Sequence, residues 1–125
     1  MPTDISILVV DDEPPLRKLM QAYLGRLSYN VETCGNATQA LELFGADPRR
    51  FALVVADLSL PDLSGNDMAL RMLALNSNLR ILLCSGYPFE LETLPPAERG
   101  NFATLQKPFL PNMLAAAVEE LLSRR

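Results

Sequence analysis

The chain has 125 residues, with 15 aspartates and glutamates against 11 lysines and arginines, and it contains no histidine. That length fits a single domain spanning residues 1–125. A net charge of −4 argues against non-specific binding to nucleic acid or an anionic membrane, and the missing histidine excludes Ser-His and Cys-His nucleophilic sites and histidine zinc sites.

Short β-rich apolar runs alternate with helical periodicity. Ile5-Ser6-Ile7-Leu8-Val9-Val10 reads as a first strand. After Pro14-Pro15, residues Leu16, Leu19, Met20, Tyr23, Leu24 and Leu27 form one stripe of an amphipathic helix. The two prolines suit its first turn, where a missing N–H has no partner to lose. Asn30 to Cys34 predicts a second strand, and Asn36 caps a helix carrying Ala37, Ala40, Leu41 and Phe44. The third strand, Phe51 to Ala56, is almost wholly apolar, as a strand covered on both faces should be. A turn-rich loop from Asp57 to Gly65 leads into a helix ending near Asn76. Arg80 to Cys84 is a fourth buried strand. From Tyr87 to Asn101, Pro88, Pro95, Pro96 and Gly100 allow only short or interrupted helix. Ala103 to Gln106 is a short fifth strand. Leu110, Met113, Leu114, Ala117, Val118, Leu121 and Leu122 then form a last amphipathic helix, closed by Arg124 and Arg125 at its negative end.

This alternation implies an α/β fold of βαβ units: a doubly wound, mostly parallel sheet with helices on both faces. Cys34 and Cys84 are too few and too far apart for a disulfide framework or a four-cysteine metal site. The start, Met1-Pro2-Thr3-Asp4, lacks the basic-then-apolar pattern of a signal peptide, and the longest apolar runs fall far short of a membrane helix. The expectation is a soluble, cytoplasmic domain with no membrane contact.

In such a sheet ligands bind beyond the carboxyl ends of the strands. There the sequence places Asp11, Asp12 and Glu13 after the first strand, Asp57 after the third, Ser85 after the fourth and Lys107-Pro108 after the fifth. If the first and third strands are neighbours, Asp11, Asp12 and Asp57 converge. Carboxylates so close need a proton or a cation between them, and Mg²⁺ (or Mn²⁺) with oxygen ligands answers that need. Lys107 and the Ser85 hydroxyl can hold phosphoryl oxygens, which equips Asp57 to attack phosphorus and form an aspartyl phosphate.

The segments Ile7-Leu8-Val9-Val10-Asp11-Asp12-Glu13, Asp57 to Gly65, Cys84-Ser85-Gly86 and Lys107-Pro108-Phe109 resemble the receiver domain of bacterial two-component response regulators. The resemblance covers essentially the whole chain. It implies a flavodoxin-like fold of five parallel strands in the order 2-1-3-4-5, with a cis peptide between Lys107 and Pro108. It implies Asp57 as phosphoacceptor, with Ser85 and Lys107 binding the phosphoryl group. Asp11, Asp12, Asp57 and the backbone carbonyl of Ser59 would be the metal ligands. The implied partners are a sensor histidine kinase or phosphotransfer protein and a downstream protein or attached domain, with no nucleic acid bound directly. The implied role is a phosphoacceptor regulatory domain rather than an enzyme. Ser85-Gly86-Tyr87 is similar to receivers attached to hybrid histidine kinases.

Three positions depart from the family pattern. Ser59 is often Asn or longer, and Tyr87 is bulky enough to screen a phosphoryl group from water. The position three before the lysine, usually Tyr or Phe and the family's switch, is Thr104, with Phe102 two residues earlier on the same strand face. The alternatives are a receiver-like interaction module that is not phosphorylated, and an Asp-nucleophile phosphatase, which needs a second Asp where Ser59 stands. A flavodoxin-like cofactor binder would want a Ser-, Thr- and Gly-rich phosphate loop where Asp11-Asp12-Glu13 stands.

Overall fold

In the computed structural model, which describes residues 4–124, strands β1 (Ser6–Val10), β2 (Asn30–Cys34), β3 (Phe51–Asp57), β4 (Arg80–Ser85) and β5 (Phe102–Gln106) form one sheet. All neighbours are parallel, and the order is β2-β1-β3-β4-β5. Helices α1 (Pro14–Arg26), α2 (Ala37–Ala46), α3 (Gly65–Leu75) and α4 (Pro111–Ser123) cover it. Among the described residues no helix is long and apolar enough to cross a membrane.

Strand alternation divides the core in two. Leu8, Val10, Val54, Ala56, Ile81 and Leu83 meet Ala40 and Phe44 of α2 and Met68 and Met72 of α3. Ile7, Val9, Leu53, Val55, Leu82 and Cys84 meet Met20 and Leu24 of α1 and Leu114, Val118 and Leu121 of α4. Each large side chain fully buried there contributes roughly 1.5–3 kcal/mol over an exposed one. Because both faces are covered, the central strands need no polar alternation, which is why β3 reads as a continuous apolar run.

The local signals work as their chemistry suggests. Pro14 and Pro15 occupy the first turn of α1. The Asn36 side chain accepts the Gln39 N–H at 2.8 Å, and Ser64 Oγ accepts the Asp67 N–H at 3.3 Å, starting α2 and α3. Two strands run one residue further than their apolar runs. Asp57 pairs with Cys84 and Ser85 with Gln106, because ladder bonding uses backbone groups and is indifferent to a polar side chain.

The chain between β4 and β5 contains no α-helix. It has two single turns of 3₁₀-helix, Leu91–Thr93 and Arg99–Asn101, separated by Pro95-Pro96. Leu94, 3% exposed, plugs this connection into the core on the α2/α3 side. Asn101 Nδ2 ties it to the carbonyls of Ser77 and Leu79, each at 2.9 Å. Arg124 does more than sit at the end of α4: its guanidinium donates to Glu120 and to the carbonyls of Gly100 and Phe102. Arg125 lies outside the described residues.

Both cysteines are free and buried. They occupy strands three spacings apart, about 14 Å at roughly 4.8 Å each, and they face opposite sides of the sheet. Burial pushes the Cys84 thiol up to about 12, with Lys107 pulling against it.

Candidate functional site

Register assembles the site. Val10 pairs with Ala56, so Asp11 leaves β1 beside Asp57, the last residue of β3. Ser85 ends β4, and Lys107 follows β5, its N–H donating to the Ser85 carbonyl at 2.7 Å. The Lys107–Pro108 peptide is cis, as the resemblance implied. Asp11, Asp57 and Ser85 are the buried polar residues of the described chain, at 1%, 8% and 5% exposure. Polar groups buried at one end of a sheet need partners, and each has them.

Lys107 is the hub. Its Nζ lies 3.0 Å from Asp11 Oδ2, 3.3 Å from Asp57 Oδ2 and 3.7 Å from Glu13 Oε1. Burial alone would lower its pKa, but the hydrogen bond and charge of Asp11, joined by Asp57, outweigh that and hold it above the ordinary lysine value. Burial raises the Asp57 pKa, against the Ser59 N–H and Lys107, which lower it, and with Asp11, which adds to the rise. Asp57 Oδ1 accepts that Ser59 N–H at 3.2 Å, and Asp11 Oδ1 accepts the Glu13 N–H at 2.8 Å.

Carboxylate oxygens of Asp11, Asp12, Glu13 and Asp57 lie within 4.8 Å of one another. Four carboxylates around one ammonium leave an excess of negative charge, and an all-oxygen donor set suits a hard divalent cation such as Mg²⁺. The residues present therefore fit that ion. Glu13 is the member of this cluster that sequence reading left out of the ligand set. The signal was its adjacency to Asp12, masked by its position immediately before the helix that Pro14 opens.

The loop after Asp57 is anchored at both ends. The Leu58 N–H reaches the Cys84 carbonyl at 2.8 Å, and the Gly65 N–H reaches the Leu58 carbonyl at 2.8 Å. Gly65 is required by this close approach, since a Cβ there would stand 2.2 Å from the Asp57 carbonyl oxygen. Asp62 crosses to α2, accepting the N–H groups of Ala37 and Thr38 at 2.9 and 2.8 Å and the Thr38 hydroxyl at 2.5 Å. The Thr38 hydroxyl and those backbone N–H groups lower the Asp62 pKa to about 2.

The departures also have places. The Tyr87 N–H donates to Ser85 Oγ at 3.1 Å, while its Oη lies 3.5 Å from Ser59 Oγ, so the ring spans from the β4 end to the Asp57 loop. Thr104 is exposed and lines a cavity of about 140 Å³ together with Ser85, Tyr87, Phe89 and Gln106. Phe102, 1% exposed, is committed to the core beside Ile81, its ladder partner, and leaves no free ring on that strand face.

Comparison with known proteins agrees with this geometry. Residues 7–119 match the family model described as response regulator receiver domain. The chain is 35% identical over 122 residues to the transcriptional regulatory protein AruR of Pseudomonas aeruginosa, covering 94% of this chain and 49% of that protein. It is also 35% identical over 118 residues to the DNA-binding transcriptional regulator NtrC of Azospirillum brasilense, covering 94% of this chain and 24% of that protein. The chain thus spans half or less of the length of these relatives. Among solved structures, the non-phosphorylated HemR receiver domain of Leptospira biflexa superposes with a TM-score of 0.84 at 29% identity, over 97% of this chain and 96% of that one. The response regulator TrrA of Thermotoga maritima, in complex with Mg²⁺ and BeF, gives 0.79 at 27% identity, over 94% and 98%. On the family match, the strand order and the acidic pocket together, the chain belongs to the response regulator receiver domain family of two-component systems.

Proposed function

We propose that this receiver domain takes a phosphoryl group from a phosphohistidine of a partner protein onto the Asp57 carboxylate, in a Mg²⁺-dependent reaction. The observation that carries the proposal is the Lys107 ammonium lying between the buried Asp11 and Asp57 carboxylates under a cluster of further acids. An Asp57 oxygen forms the new bond to phosphorus. The P–N bond to the donor imidazole breaks, and its electron pair returns to the ring nitrogen. Lys107 and the Ser85 hydroxyl receive phosphoryl oxygens, and the Ser59 N–H keeps the carboxylate oriented. Asp11, Asp12 and Asp57, with the Ser59 backbone carbonyl, are the residues to hold the metal, and Glu13 stands close enough to join them. Bound Mg²⁺ supplies neutralisation of charge on the phosphoryl oxygens.

Residues 1–125 contain no histidine, so the phosphohistidine donor lies outside them, on a sensor kinase or phosphotransfer module. Output goes to a downstream protein or attached domain, as expected for a unit shorter than its relatives. The role is regulatory: the domain takes part in its own phosphorylation and dephosphorylation.

The test is to incubate the protein with Mg²⁺ and acetyl phosphate and weigh it intact. A gain of one phosphoryl group, lost in Asp57→Asn, is the expected result. A folded protein that gains no mass with any donor is instead the unphosphorylated interaction module.

A further inference from the structure

The acidic loop is held by more than its own carboxylates. The Asp11 N–H donates to the Cys34 carbonyl at 3.1 Å, extending the β1–β2 ladder past its last pair. The Asp11 carbonyl accepts Arg17 Nη1 at 2.6 Å, from one turn along α1. With its side chain bound to Lys107 and the Glu13 N–H, Asp11 is fixed through every polar group it has.

The guanidinium can lie there because of Gly35. A Cβ at that position would stand 3.1 Å from Arg17 Nη1 and 3.6 Å from its Cζ, tight enough that the guanidinium would have to give way. No glycine of the described chain has a positive φ, so backbone conformation does not demand glycine at 35. What favours it is the room taken by the guanidinium, which a Cβ would push aside by a few tenths of an ångström.

We propose that Arg17 is a positioning residue for the cation-binding loop, and that Gly35 is the seat that lets it act. This rests on the Mg²⁺ reading above. Arg17 clamps the peptide following Asp11, the peptide from which Asp12 and Glu13 project, so the ligands are arranged before the ion arrives. Its charge acts in the opposite sense, because a cation held at the Asp11 carbonyl opposes a nearby divalent ion on Coulomb grounds. Clamp and charge therefore predict opposite signs when Arg17 is removed.

The test is a calorimetric Mg²⁺ titration, without phosphodonor, on the unaltered protein, Arg17→Ala, Gly35→Ala and the double variant. Mg²⁺ binding is expected to weaken about tenfold in Arg17→Ala and about threefold in Gly35→Ala, with the double variant no weaker than Arg17→Ala alone. The backbone amide resonances of Asp12 and Glu13 should move in both single variants before Mg²⁺ is added, a change that loss of charge alone does not require. Unchanged or tighter binding in Arg17→Ala overturns the proposal. So does a Gly35→Ala effect that persists when Arg17 is already gone. If Arg17→Ala does not fold, Gly35→Ala, which keeps every pocket side chain, decides alone: full Mg²⁺ affinity there overturns the clamp. No Mg²⁺ binding by the unaltered protein removes the metal reading itself, and the clamp with it. Normal binding with an indifferent Arg17→Ala removes only the clamp.

Discussion

The two ends of β4 and β5 lead into regions built on different terms. At the pocket, Asp11, Asp57 and Lys107 each answer to several partners. In the β4–β5 connection the Arg99 side chain bonds to nearby carbonyls of its own segment, Leu94 and Glu92, and Leu94 is buried in the core with Phe89 and Leu91 half-buried against it. The pocket has to place charged groups to within a fraction of an ångström. The connection only has to cover a sheet face, which prolines and single helical turns can do.

The comparison is tested most severely at Lys107. Lys107→Ala leaves Asp11 and Asp57 facing each other without their shared cation and removes the proposed phosphoryl ligand, and phosphorylation by acetyl phosphate should slow about 100-fold or more. Intact-mass time courses measure it; a rate within threefold of the unaltered protein would mean the hub is dispensable. Leu94→Ala probes the other region. It should cost about 2–3 kcal/mol in urea unfolding yet leave the initial phosphorylation rate unchanged, separating cover from chemistry. Tyr87 joins the two regions. Opening its span to water in Tyr87→Ala should shorten the phosphoryl lifetime about threefold, under 1 kcal/mol of barrier, read by the decay of the phosphorylated mass.

The smallest expected effect is at Asp62. Its folded-state pKa lies near 2, below its unfolded value, so its contribution to stability is complete above about pH 4 and is lost as pH falls from there toward about 2. In urea melts across that range, Asp62→Asn should show a shallower loss of stability than the unaltered protein. Equal slopes would mean that the link from the Asp57 loop to α2 is not charge-dependent.

The sequence carried the strand alternation, the covered central strand and the acids at strand ends, because these depend on local periodicity and on where apolar runs stop. The proline-broken stretch before β5 was legible for the same reason. The hidden features were side-chain reach across the fold: Asp62 on the N-terminus of α2, Arg17 on the Asp11 carbonyl, Glu13 within the carboxylate cluster. None follows from strand or helix periodicity: Asp62 reaches an element 25 residues away, while Arg17 and Glu13 depend on the path of the short loop between β1 and α1. Phe102 was ambiguous for a related reason. Residues 102 and 104 share a strand face, but only the packed structure shows the first sealed in the core and the second beside an open cavity.

The two thiols offer a built-in gauge of these regions. Cys84 lies on the α1/α4 side of β4 with its thiol held near 12, and Cys34 ends β2 on the other face. Alkylating reagents attack thiolates that solvent can reach, so neither sulfur should react while the sheet is closed. Pulsed labelling of Cys84 therefore times the opening of the sheet's centre, and that of Cys34 the peeling of its edge strand. Mg²⁺, if held by Asp11 and Asp57 as proposed above, would slow both.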